Sequence, residues 1–195
     1  MVDEPGVAGC DEAGRGPLAG PVVCAAVVLP AGHGIKGLGD SKALSAAARE
    51  RLFDLVVARA ENCIVEVSPG EIDGTNILRA SLAGMSRAVA GLPRSPLRAI
   101  VDGDHAPLDM PCECEAWVKG DARHAAVAAA SILAKVTRDR LMIELAGEFP
   151  GYGFERNFGY PTPDHLIALR RLGPCPAHRT TFGPVRDALN QPNLF

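Results

Sequence analysis

Four acidic residues occupy positions from which side chains can converge. Asp11 and Glu12 close an apolar N-terminal segment, Asp102 closes the segment Leu97-Arg98-Ala99-Ile100-Val101, and Asp121 opens an alanine-rich stretch. Open α/β sheets place ligand sites beyond their strand ends, so these four side chains have a route to a common site. Clustered carboxylates repel one another and are costly to bury unless a cation neutralises them. Hard oxygen donors suit Mg²⁺ or Mn²⁺ better than zinc. Two such ions about 3.5–4 Å apart activate water and stabilise the leaving oxygen in phosphodiester cleavage. Each position also has a plainer use, because aspartate at a strand end or helix start commonly serves as a turn or cap residue. Asp121 is placed to cap the alanine-rich helix. Neighbouring strand residues point to opposite faces, so Asp11 and Glu12 share a metal only if the strand ends or twists there, or if one offers its carbonyl.

The positioning elements read as follows. Gly6 to Glu12 and Gly20 to Leu29 are strand-like and flank the turn Ala13-Gly14-Arg15-Gly16-Pro17. Ser45 is an N-cap candidate ahead of Leu52, Leu55 and Val56 at helical spacing. Residues 62–68 alternate as a strand, and the stretch 71–92 places Ile77, Leu78, Leu82, Met85 and Val89 on one helical face. Strands are expected at Leu97–Gly103 and Cys114–Lys119, and a long helix from about Arg123 to Leu145. Shorter helices are expected near Pro163–Leu172 and Pro184–Leu189. This order predicts an α/β fold with a mixed central sheet flanked by helices. The 195 residues fit a single domain, with about 150–195 an appended C-terminal helical lobe rich in Pro, Gly and Arg.

Hydrophobic residues make up 47% and charged residues 22% of the chain, which excludes a mainly disordered protein. The longest strictly apolar run, Val22 to Leu29, is far shorter than the ~20 residues of a spanning helix. The start Met1-Val2-Asp3-Glu4-Pro5 lacks the basic and apolar regions of a secretory signal, so no membrane association and a cytoplasmic location are expected. A net charge of −3 does not suggest a strongly basic nucleic-acid binder. It remains compatible with a nuclease, in which a carboxylate-lined metal site offsets basic contacts. The six cysteines are spread through a chain too large to need disulfides, and Cys112-x-Cys114 has no partner pair at zinc-finger spacing.

The segment from Cys10 to Val23, with Asp11-Glu12-Ala13-Gly14-Arg15-Gly16-Pro17 at its centre, closely resembles the opening signature of bacterial ribonuclease HII. The resemblance continues in order through Gly39-Asp40-Ser41-Lys42-Ala43-Leu44, Glu71-Ile72-Asp73, Val101-Asp102-Gly103 and Lys119-Gly120-Asp121. It runs on through residues 128–139, Tyr152-Gly153-Phe154, Gly159-Tyr160-Pro161-Thr162, His165 and His178-Arg179. These blocks cover nearly the whole chain.

The resemblance implies a ribonuclease H-like fold and a four-carboxylate site of Asp11, Glu12, Asp102 and Asp121 holding Mg²⁺ or Mn²⁺, two ions with substrate bound. It implies hydrolysis of the RNA strand of RNA–DNA hybrids and incision 5′ to single ribonucleotides in duplex DNA, leaving 3′-hydroxyl and 5′-phosphate ends. It further implies that Gly14-Arg15-Gly16 senses the ribonucleotide 2′-hydroxyl through main-chain groups and that Tyr160 packs on the neighbouring sugar. Missing Cβ atoms let backbone approach a ligand closely, so a Cβ at Gly16 is expected to obstruct that approach or distort the turn. The chain departs from the family at Phe158, where lysine is usual, and at Pro161, where glycine is common. Without a cation at 158, one phosphate of the substrate has no positive partner there.

Ser41 and Lys42, with Lys119, Ser131 and Lys135, are candidates for phosphate contact, although exposed lysines are commonly only solvated. His165 and His178 lack metal-like spacing and read as structural or backbone-contacting. Asp139 lies 18 residues beyond Asp121, roughly 27 Å along a helix, and reads as an ion-pair or capping partner. A monomer is expected, and a sliding-clamp partner is not readable from the residues. The competing readings are a binding scaffold without catalysis and a nuclease such as a junction resolvase. The complete carboxylate set argues against the first, and the Gly14-Arg15-Gly16 turn with Tyr160 against the second.

Overall fold

The computed structural model describes residues 1–41 and 43–190, so the expected phosphate contact of Lys42 lies outside the described residues. Five strands form one sheet in the order β3-β2-β1-β4-β5: β1 (Val7–Ala13), β2 (Val22–Val28), β3 (Glu61–Val67), β4 (Arg98–Asp102) and β5 (Cys114–Trp117). β1 pairs antiparallel with β2 and β2 with β3, while β1–β4 and β4–β5 are parallel. The expected mixed sheet is therefore present, with β1 at its centre.

Both faces of the sheet are covered. On one side Val23, Ala25 and Val27 pack under α1 (Ala46–Arg59), together with Ala126, Ala129 and Leu133. The last three belong to α5 (Ala125–Glu148), the alanine-rich helix. Small residues let that helix lie close, and Gly9 carries the same demand. A Cβ there would fall 2.1 Å from the Ala126 carbonyl carbon and the Val127 nitrogen. On the other side Cys10, Cys24 and Ala26 pack with Ala80, Met85 and Val89 of α3 (Ile77–Ala90).

The structure corrects one expected helix. The helix expected over 71–92 is two helices, α2 (Pro69–Gly74) and α3, because two local caps prevail over apolar periodicity. Ser68 and Glu71 form a reciprocal capping box at the start of α2, and the Asn76 side chain accepts from Arg79 N–H to start α3. The long helix expected from about Arg123 to Leu145 is present as α5, unbroken over Ala125–Glu148. A separate short helix, α4 (Gly120–Arg123), precedes it, set apart by His124, whose backbone is extended at φ −126° and ψ 130°.

The C-terminal lobe contains α6 (Phe154–Asn157), absent from the sequence reading, α7 (Pro163–Leu172) and α8 (Gly183–Asn190). Tyr152, Phe154, Ala168 and Ala177 form a small core with Met142 of α5 and Ala19 of the β1–β2 connection. The lobe is thus fastened to the turn that follows β1. All six cysteines are free thiols. No helix among the described residues is long and apolar enough to cross a membrane.

Candidate active site

The parallel neighbours β1 and β4 run to the same end of the sheet, where Cys10 pairs with Val101 and the next residues are Asp11 and Asp102. The Gly120 N–H donates to Asp102 Oδ1 (2.7 Å), tying the end of β4 to the start of α4, where Asp121 occupies the first turn. Asp11 is buried, only 6% exposed, and accepts from the Glu12 N–H (2.7 Å). Burial, then the charges of Glu12 and Asp102, push the Asp11 carboxyl well above the usual carboxylate range, against a smaller opposing effect of hydrogen bonds from Glu12 N–H and the Ser131 side chain. Three of the four expected carboxylates are thus electrostatically coupled. Asp121 follows the amide that holds Asp102. It is not the cap of the alanine-rich helix: Lys119 precedes α4, and His124 heads α5.

Regular pairing continues past Glu12 to Ala13, so the strand does not end between the two acidic residues. Asp11 pairs in register with Ala25 of the layer under α5 and interacts with Ser131 of that helix, while Glu12 pairs with Cys24 of the opposite layer. Glu12 also lies 3.4 Å from Arg15 Nη1. Among the described residues no three His, Cys, Asp or Glu side chains form a ready-made metal cage. Mg²⁺ commonly uses one or two carboxylates and completes its shell with water and substrate phosphate. The donors are hard oxygens, and a cation would offset the burial and repulsion that raise the Asp11 carboxyl, so the residues present fit such an ion.

Asp11 and Glu12 open into a cavity of about 370 Å³ also lined by Gly14, Arg15, Gly16, Ser41, Ser131, Lys135, Arg138 and Tyr160. The turn is shaped by two buried arginines to which the sequence reading assigned no role. Arg179 donates to the carbonyls of Gly14 (2.6 Å), Arg15 (3.0 Å), Pro17 (2.8 Å) and Gly20 (2.9 and 3.0 Å). Arg138 donates to those of Pro21 (3.0 Å), Ala19 (3.1 Å) and Phe158 (3.1 Å). Burial pushes Arg179 down to about 9 and Arg138 down to about 10, which leaves both charged at neutral pH. In a trans peptide a carbonyl and the following N–H point in opposite directions. With the Gly14 and Arg15 carbonyls turned onto Arg179, the N–H groups of Arg15 and Gly16 point away from that guanidinium. Among the described residues neither is taken up by another main-chain group.

The two glycines differ. Gly14 has φ +100°, and a Cβ there would lie 1.9 Å from Arg138 Nε, whereas a Cβ at Gly16 meets only Tyr160 Cε1 at 3.6 Å. The expected distortion of the turn by a Gly16 side chain is therefore not seen; only obstruction of a ligand remains. Gly14→Ala is expected to cost on the order of 1–3 kcal/mol of stability and Gly16→Ala less than about 1 kcal/mol, measured by denaturant unfolding.

Tyr160 stands at the cavity mouth, 44% exposed, its N–H donating to the Asn157 carbonyl (2.9 Å). Phe158 adopts a left-handed conformation (φ 49°), and Lys135 Nζ sits 5.1 Å from its ring centroid while pairing with Asp139 (2.6 Å). Asp139 is thus the expected ion-pair partner, and a cation stands beside the position where the family lysine is missing. The Ser41 and Ser131 hydroxyls are hydrogen-bonded at 2.7 Å. His165 contacts the Tyr160 carbonyl, in keeping with the backbone-contacting reading. A buried arginine carries no sequence mark of its own, because its acceptors lie far along the chain.

A mixed five-stranded sheet with carboxylates at adjoining ends of its central parallel strands is the architecture of ribonuclease H-like nucleases. The ribonuclease H2 structure from Pyrococcus horikoshii OT3 superimposes with a TM-score of 0.81 at 30% identity, covering 93% of this chain and 96% of that one. The chain in the PCNA:RNase HII complex from Archaeoglobus fulgidus gives 0.71 at 28% identity, over 96% and 98%. The family model for ribonuclease HII matches residues 8–185, and the chain belongs to that family. Ribonuclease HII 1 of Methylibium petroleiphilum is 57% identical over 183 residues, 93% of this chain and 92% of its relative. The protein is accordingly a hydrolase of the ribonuclease H type.

Proposed function

We propose that this endonuclease cuts the RNA strand of RNA–DNA hybrids and incises 5′ to a ribonucleotide embedded in duplex DNA, leaving 3′-hydroxyl and 5′-phosphate ends. The observation that carries this reading is the opening of Asp11 and Glu12 into the same cavity as the Gly14–Gly16 turn and Tyr160. Asp11, Glu12, Asp102 and Asp121 would hold Mg²⁺ or Mn²⁺, Glu12 from the opposite side of the strand or with its carbonyl. Ions bound there supply an activated water and charge stabilisation at the leaving oxygen.

The chain's own groups do the rest. The outward N–H groups of Arg15 and Gly16 donate to a ribose 2′-hydroxyl, the group that separates RNA from DNA at a given site. A deoxyribose leaves those donors without that partner, which is how a polar site discriminates strongly. Tyr160 packs on the adjacent sugar. Lys135, steadied by Asp139 and the Phe158 ring, offers the phosphate a cation in place of the family lysine at 158, with Ser41 beside it. A sliding clamp is a candidate partner on the strength of the Archaeoglobus complex, and a single domain working as a monomer remains the simplest organisation.

Three duplexes test the reading: all-DNA, DNA with one ribonucleotide, and RNA–DNA hybrid, each with Mg²⁺, with Mn²⁺ and with chelator. Incision only where ribose is present, and only with metal, is expected. A chain with a core this size folds without the ion, so chelation is expected to stop cleavage while shifting the melting temperature little. Cleavage of all-DNA duplex, or full activity in chelator, overturns the proposal.

A further inference from the structure

Two buried histidines stand beneath the Tyr160 loop with their Nε2 atoms 3.1 Å apart. The Cys175 main-chain N–H points at His178 Nδ1 (3.0 Å), and its Sγ lies 3.1 Å from the same nitrogen. A main-chain N–H can only donate, so His178 Nδ1 is an acceptor, and a neutral His178 carries its proton on Nε2. That proton is directed at His165 Nε2, which is then bare, leaving the His165 proton on Nδ1. His165 Nδ1 is 2.8 Å from the Tyr160 carbonyl oxygen, an obligatory acceptor, so the same assignment follows from the other end. Every donor and acceptor from Cys175 N–H to the Tyr160 carbonyl is used when both rings are neutral.

The surroundings support that state. His178 is flanked by Tyr152 and Phe154 and His165 by Phe154, at centroid distances of 5.0, 5.6 and 5.4 Å. The Tyr152 hydroxyl is engaged elsewhere, donating to the Gly173 carbonyl (2.6 Å). Burial, with His165 alongside, pushes His178 down to about 4, and burial lowers His165. The Tyr160 carbonyl also accepts from Thr162 N–H (2.7 Å), and the Thr162 side chain caps α7 by accepting from His165 N–H (3.3 Å). The start of α7 and the Tyr160 loop are therefore one hydrogen-bonded unit.

We infer that His165 is a positioning residue for substrate recognition. Its Nδ1–H, held in that tautomer by His178, fixes the Tyr160 carbonyl and so sets the ring at the cavity mouth. The inference rests on the reading of Tyr160 as a sugar contact. It acts through the Tyr160 main-chain carbonyl and not through a carboxylate, so its loss weakens binding of a ribonucleotide-containing duplex without changing the metal requirement.

Nitrogen-15 NMR of histidine-labelled protein tests the tautomers directly: at neutral pH, His165 is expected as the Nδ1–H form and His178 as the Nε2–H form. Kinetics on a duplex with one ribonucleotide test the consequence. His165→Gln places its amide near the Nε2 position and gives up the hydrogen bond to the Tyr160 carbonyl, whereas His165→Asn places an N–H near Nδ1 and keeps it. His165→Gln is expected to raise KM up to roughly tenfold, the worth of one hydrogen bond, with little change in kcat or in Mg²⁺ dependence. His165→Asn is expected to restore most of that loss. Reversed tautomers, or equal KM values for both variants and the parent protein, overturn the inference. Tyr160→Ala run alongside separates the two levels: unchanged KM there removes the substrate role of Tyr160 itself, and the positioning role with it. If a variant does not fold, the NMR assignment on the parent protein still decides the relay.

Discussion

Asp11→Asn is expected to lower cleavage by at least ~10²-fold, since the site loses a charge that holds the ion and metal assistance amounts to several kcal/mol. The same change is expected to raise the melting temperature at neutral pH. Asp11 is buried beside Glu12 and Asp102, and its carboxyl titrates well above the usual range. A carboxyl whose folded pKa is raised favours folding while protonated, and that advantage is lost as pH rises through the folded value. At neutral pH the charged form opposes folding, whereas asparagine keeps the acceptor oxygen for the Glu12 N–H without the charge. The stability difference between variant and parent should therefore shrink as pH falls toward 3.8, the ordinary carboxyl value. Mg²⁺ is expected to stabilise the parent and not the variant. Near-normal turnover would dismiss the carboxylate assignment, and a lower melting temperature at neutral pH would dismiss the electrostatic account.

The largest loss of stability is expected at Arg179. Its side chain is fully buried and serves the carbonyls of Gly14, Arg15, Pro17 and Gly20. Arg179→Ala leaves four acceptors without their donor, at roughly 1–3 kcal/mol each before relaxation, so a loss of about 4 kcal/mol or more is expected. That is a large share of the ~5–15 kcal/mol by which a domain is stable. Arg179→Lys keeps the charge but not the planar fork, and is expected to fold while losing discrimination between a ribonucleotide and a deoxyribonucleotide. Asp73 holds the segment from behind, accepting from the N–H groups of Thr180 (2.7 Å) and Thr181 (3.0 Å) and from both hydroxyls. Burial raises the Asp73 carboxyl, but these hydrogen bonds prevail and leave it below its ordinary value. Urea unfolding of the two arginine variants, with the incision ratio for the lysine form, decides between a clamp on the turn and a side chain that merely fills space.

Much of the candidate site was legible in the residues. Asp11-Glu12 followed by Gly14-Arg15-Gly16, then Asp102, Asp121 and Tyr160 in order, pointed to one family and one chemistry. Strand and helix positions followed from apolar spacing, and Ser45 caps α1 as expected, accepting from the Ala48 N–H. These features are local: periodicity, caps and turn residues act over a few positions and are written in neighbouring residues. The break at Asn76 escaped because caps and a continuing apolar stripe compete within the same window, and here the caps of Ser68 and Asn76 prevail.

What the tertiary structure alone decided are the contacts between residues remote in sequence. Asp11 titrates high because the fold buries it, with Glu12 next to it and Asp102 brought near by β4. Gly14 is obligatory because Arg138 lies against it. The turn presents its N–H groups because Arg179, 165 positions further along, draws in the carbonyls. A carbonyl acceptor exists at every residue, so no pattern of side chains can announce which four a buried guanidinium will find. The amino-acid order therefore determines which groups do the chemistry, while their aim, charge state and tautomer are set by what the fold packs against them.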